Sequence, residues 1–87
     1  MMLKKKKYNM LLDSIKVQKA VLEAAERCAA DVTAINGDGS YAVDAKSVLG
    51  FFSLDLKKPI TIETKTETDS NIIENALRSG NIKYKVA

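Results

Sequence analysis

Residues 41 to 62 constrain this chain more than any other stretch. They read Tyr-Ala-Val-Asp-Ala-Lys-Ser-Val-Leu-Gly-Phe-Phe-Ser-Leu-Asp-Leu-Lys-Lys-Pro-Ile-Thr-Ile. Ser40 to Asp44 alternates as a strand, with Tyr41 and Val43 expected to point inward. Ser47 then offers a side-chain oxygen to the orphan N–H groups of a helix start. The helix that follows, Lys46 to Phe52, is short and rich in apolar residues. Pro59 closes the connection, and Ile60 to Thr66 alternates again, with Ile60, Ile62 and Thr64 set against Thr61, Glu63 and Lys65. A strand, a single helical turn or so, and a second strand cannot cover their own apolar sides. They need a sheet partner and further helices.

The rest of the chain supplies them. Lys5 to Leu12 fits an edge-type first strand, with Tyr8, Met10 and Leu12 toward one face. Asp13-Ser14 starts a helix with Ser14 as its cap. Val17, Val21, Ala24 and Cys28 recur at helical spacing beside Ala20 and Ala25, against exposed Lys16, Lys19, Glu23, Glu26 and Arg27. Asp31 to Asn36 is a strand with Val32 and Ala34 on one face, and Asn36-Gly37-Asp38-Gly39 is a hairpin loop. Asp69-Ser70 is expected to cap a last helix bearing Ile72, Ile73, Ala76 and Leu77, which Gly80 ends. Residues 81–87 alternate as an extra strand would, or form a flexible tail, as 1–4 would at the other end. The expected fold is a single α+β domain over residues 1–87. It is an open-faced sandwich in the order βαββαβα, with the helices covering one face of a four-stranded antiparallel sheet and the other face wet.

Composition narrows the chemistry. The 87 residues include no histidine and one cysteine. Cys28 therefore has no internal disulfide partner, and it reads as a buried small hydrophobe in a reducing compartment. A metal centre is not expected, and no cofactor is implied. Gly37-Asp38-Gly39 is too short and wrongly placed for a nucleotide loop, and no carboxylate pair stands out among the scattered acids. No apolar run approaches the length of a membrane span, and no apolar core follows the basic start, so a cytoplasmic protein is expected. The net charge of +3 is too mild to imply nucleic acid, and Lys4 to Lys7 read as a solvated start rather than a nucleic-acid site.

The segment Tyr41 to Ile62, with Lys46-Ser47-Val48-Leu49-Gly50 at its centre, resembles the regulatory-serine segment of the HPr family, the small phosphocarriers of the bacterial sugar phosphotransferase system. The likeness extends more weakly from Tyr8 to Gly80. It implies the strand order 1-4-2-3. In that family a histidine caps the first helix and carries the phosphoryl group, with an arginine and a proline close behind. Here Ser14 stands at the cap, Lys16 near the arginine and Val17 near the proline, so the carrier motif is absent. The chain is similar to the catabolite-repression homologues of the family, which lack the histidine and keep the serine.

The resemblance implies a non-catalytic regulatory or binding protein with Ser47 as its phosphorylation site. The implied partners are an HPr kinase/phosphorylase-like enzyme and a transcriptional regulator. The implied docking surface comprises Lys46, Leu49, Gly50 and Phe52 with Ser14, Lys16 and Lys19 of the first helix. Structural roles compete with each of these: Ser14 and Ser47 serve equally as caps, and both phenylalanines could be core. Phe51 is expected inside and Phe52 outside. Three rival functions stand beside this one: a phosphocarrier using a non-histidine acceptor, a small nucleic-acid-binding domain, and a dimerising unit that pairs its tail strand.

Overall fold

The computed structural model describes residues 3–87; Met1 and Met2, part of the start expected to be flexible, lie outside the described residues. The elements are β1 (Leu3–Met10), α1 (Ile15–Arg27), β2 (Thr33–Ile35), β3 (Ala42–Asp44), α2 (Val48–Phe52), β4 (Ile60–Thr66), α3 (Glu67–Ser79) and β5 (Tyr84–Val86). The class is α+β, with one open antiparallel sheet and three helices.

The sheet has five strands in the order β3-β2-β4-β1-β5, so the expected four-stranded sheet and βαββαβα pattern are not met. The first four strands keep the expected neighbours. The departure is the tail, whose alternation finds a partner in β1, with Tyr8 opposite Val86, Asn9 opposite Lys85 and Met10 opposite Tyr84. The first strand is consequently an edge only over its lysine-rich beginning, and is flanked on both sides from Tyr8 to Met10. It also ends at Met10, two residues earlier than expected, although Leu12 is still buried.

Period-two alternation decides the two faces. Tyr8, Met10, Ile60, Ile62, Thr64 and Ala34 are buried on the inner face. Asn9 is exposed on the outer face, and Thr33, Thr61, Glu63 and Lys65 are half-buried there. The amphipathic faces of α1 and α3 close the core, with Val21, Leu22, Ala24 and Ala25 from one and Ile73 and Leu77 from the other. Tyr8 carries a hydroxyl into this core, and it donates to Glu74 Oε2 at 2.6 Å. Burial, and then this bond, raises its pKa, so the phenol stays a neutral donor. The same bond, reinforced by Lys6, lowers the pKa of Glu74.

Two further expectations are corrected. Tyr41 is half-exposed rather than inward, because β3 begins only at Ala42. The Asn36 carboxamide accepts from Tyr41 N–H at 3.0 Å, and Asn36 N–H donates to the Tyr41 carbonyl, so Tyr41 belongs to the turn. The last helix is capped by Thr66, whose Oγ1 accepts from Asp69 N–H, and not by Asp69-Ser70. Both of those side chains are buried inside its first turn.

Helix α3 stops at Gly80, as expected, but the left-handed residue is the next one, Asn81, at φ 54°. Ile82 N–H donates to the Leu77 carbonyl and Asn81 N–H to that of Arg78, the paired bonds of a Schellman stop, and Ile82 is buried against the end of the helix. Asparagine tolerates this backbone less well than glycine. Asn81→Gly should raise the melting temperature by about 2–4 °C, the equivalent of about 0.5 kcal/mol in a domain of this size. A lowered melting temperature would show that the asparagine side chain is itself needed at the stop.

Candidate functional site

Two serine-capped helix starts lie on the helical side of the sheet. Ser14, extended at φ −145°, accepts from Val17 N–H at 3.4 Å and so begins α1. Ser47 accepts from Gly50 N–H at 3.2 Å and begins α2. Both are exposed. Gly50 has a spatial reason to lack a side chain: a Cβ there would lie 3.3 Å from both the Cβ and the Oγ of Ser47 and 3.5 Å from Val43. The glycine thus lets the cap serine fold back over the first turn.

Helix α2 is too short to bury every apolar residue it carries. Phe51 is fully buried, whereas Leu49 is 86% exposed, Val48 51% and Phe52 41%, which gives the inside–outside split expected for the two phenylalanines. The rings meet edge to face with centroids 5.4 Å apart, so Phe52 leans on the buried ring from outside. The loop before α1 and its first residue add Leu11 and Ile15. Among the described residues, seven large hydrophobic side chains are exposed, and five of them belong to these two neighbouring segments. That concentration separates a patch from the scattered apolar residues of any surface.

A groove of about 670 Å³ runs through the patch, with Ser14, Ile15 and Gln18 on one wall, Phe52 and Leu54 on the other, and Asp13 and Asp55 among its polar lining. Of the residues the sequence nominated, the groove brings Ser14 and Phe52 together. Ser47, Leu49 and Gly50 lie at the start of α2 outside it, and Lys16 and Lys19 are on the exposed side of α1. Lys46 is turned elsewhere. Its Nζ donates to the Cys28 carbonyl at 2.9 Å, so it caps the end of α1 and is not presented with Ser47. Ile15 and Leu11 were not foreseen. Ile15 shares the side of α1 that carries Leu22, two turns further on, but at the helix start nothing lies over it.

Cys28 offers no second site. It is buried, its Sγ lies 3.4 Å from the Ala24 carbonyl, and desolvation, followed by the charge of Asp69, pushes its pKa up to about 11. The Asn36–Ser40 turn is held internally, because Asp38 accepts from both the backbone and the hydroxyl of Ser40, and these bonds lower its pKa. No helix among the described residues is long and apolar enough to cross a membrane. No family model, curated protein or solved structure matches this chain.

Proposed function

We propose that this is a non-catalytic, HPr-like regulatory or binding protein of a bacterial cytoplasm, which docks partner proteins through the α1 start and α2 and is switched at Ser47. The observation that carries the reading is the groove that brings exposed Leu11, Ile15 and Phe52 together beside Ser14, with Phe52 on the same short helix α2 that exposes Val48 and Leu49 next to Ser47. A protein that hands phosphoryl groups on needs a labile bond such as that of phosphohistidine, and this chain has no histidine. A serine ester is stable and suits a mark that a partner reads. The proposed partners are an HPr kinase/phosphorylase-like enzyme and a transcriptional regulator.

The physics of Ser47 favours a mark over a refolding event. A phosphate adds about −1.5 to −2 charges. At the positive end of a helix such a charge is stabilising, by about 0.3–1 kcal/mol. The added bulk meets solvent, since Ser47 is exposed. The modified domain should therefore stay folded. With HPr kinase and ATP, intact-mass spectrometry should find a single added phosphate that is absent from the Ser47→Ala variant. A phosphate retained in that variant would move the mark to another residue, and none in either protein would leave the docking patch without its switch.

A further inference from the structure

The second independent feature is a cationic margin formed by two segments far apart in sequence. β1 opens with Lys4-Lys5-Lys6-Lys7, and the tail contributes Lys83 and Lys85. Antiparallel pairing sets Lys85 opposite Asn9 and bonds the Ala87 N–H to the Lys7 carbonyl, so the tail lysines continue along the same margin from those that open β1. Neither segment holds an acidic side chain. Lys6 is matched by Glu74 at 3.4 Å and Lys7 by Glu63 at 3.8 Å. Lys4, Lys5, Lys83 and Lys85 are exposed and have no acidic partner among the described residues. The lysine-rich start, unremarkable alone, is thus half of a larger patch that only the fifth strand completes.

We propose that this β1–β5 margin binds the phosphate backbone of double-stranded nucleic acid without reading its sequence. This does not depend on the function proposed above, because it uses the sheet margin and not the helices. Three properties of the patch select the ligand. Its charges are all ammonium groups, which suit phosphate oxygens as point charges. Lys85 is held in the β1–β5 pairing, Lys4 and Lys5 belong to β1 where its register shifts between Leu3 and Lys6, and Lys83 directly precedes β5, so the charges follow a structured sheet margin rather than a loose tail. The adjoining outward residues are Asn9, Thr61 and Lys65. Within the margin the Tyr84 ring packs edge to face on Tyr8 rather than standing free to stack on a base, and exposed Val86 is a single large apolar side chain of β5, far short of the apolar face that a bilayer surface takes.

The test is fluorescence anisotropy of a labelled 20-base-pair DNA duplex titrated with the intact protein at several salt concentrations. Four phosphate contacts predict a log–log slope of about −3.6, and an affinity that falls on the order of 100-fold between 50 and 200 mM salt. Replacing two of the cations, in the variant Lys83→Gln/Lys85→Gln, should make the slope shallower by about 1.8. The variant Arg27→Gln/Lys58→Gln has the same net charge but changes exposed residues outside the margin, and it should keep the parent slope. Circular dichroism melts confirm that both variants fold. No binding at 50 mM salt, or equal losses in the two variants, would overturn the proposal. So would stronger competition by phosphatidylserine vesicles than by unlabelled duplex at equal anion concentration.

Discussion

Phe51→Ala should cost about 3–5 kcal/mol of folding stability, and its neighbour Phe52→Ala less than about 1 kcal/mol. The two residues are adjacent in sequence, identical in chemistry and in edge-to-face contact, so only their surroundings differ. Phe51 is fully buried on the inner side of a five-residue helix. Removing its ring leaves a cavity in a core with little spare material, because α2 offers no other buried residue that could collapse into the space. Phe52 is 41% exposed and loses mainly its contact with the other ring. A domain of this length has a total stability of roughly 4–13 kcal/mol, so the first substitution removes much of it or all of it. Urea unfolding with an unchanged m-value measures the difference. Comparable losses in the two variants would mean that Phe52 is a core residue, and the docking patch would lose a wall. The binding phenotype should invert this order: Phe52→Ala should remain folded while losing affinity for whatever the groove receives.

What could be read from the sequence follows the range of the interactions involved. Both α1 and α2 start at the serines that local capping chemistry indicates, and Ser14 and Ser47 make their expected bonds three residues on. The alternation of Ile60 to Thr66 survives intact as a strand buried at every second residue. The readings that failed were decided by specific partners, some near in sequence, as Asn36 is to Tyr41, and some distant. The alternation of residues 81–87 allows an extra strand or a flexible tail, and the edge that Tyr8 to Met10 present, which no local pattern specifies, decides for the strand over 84–86. Three hydroxyl or carboxyl residues, Thr66, Asp69 and Ser70, compete to cap α3, and tertiary contacts decide among them. Ser70 bonds Thr64 and the Thr66 carbonyl, and Asp69 reaches across to another element, which leaves Thr66 as the cap. The groove itself was half legible. Phe52 follows from the excess of apolar residues on a short helix, but Ile15 looks like any core residue until the end of the core is known. Lys46 went the other way: its position beside Ser47 suggests a charge for a phosphate, yet its reach of four carbons takes it to Cys28.

Asp69→Ala should destabilise the domain by about 3 kcal/mol, enough to lower its melting temperature by about 12–24 °C. Its carboxylate is 1% exposed and accepts from two successive backbone N–H groups, Ala29 at 3.0 Å and Ala30 at 2.9 Å. Those groups follow the end of α1, where the Cys28 carbonyl is already taken by Lys46. Asp69 therefore joins the first turn of α3 to the turn that leaves α1, and its charge sits at the positive end of its own helix. The alanine variant loses two charge-assisted bonds at once and leaves both donors in a partly buried turn. Asp69→Asn separates the contributions. It keeps the shape and one acceptor oxygen but replaces the other with a donor facing an N–H group, so about half the loss or more should remain. An Asp69→Ala melting temperature within a few degrees of the parent would mean that water serves Ala29 and Ala30 as well as the carboxylate does. The position of α1, and with it the Ser14 wall of the groove, would then rest on its apolar packing and on the bonds that Lys46 and Gln18 make at its two ends.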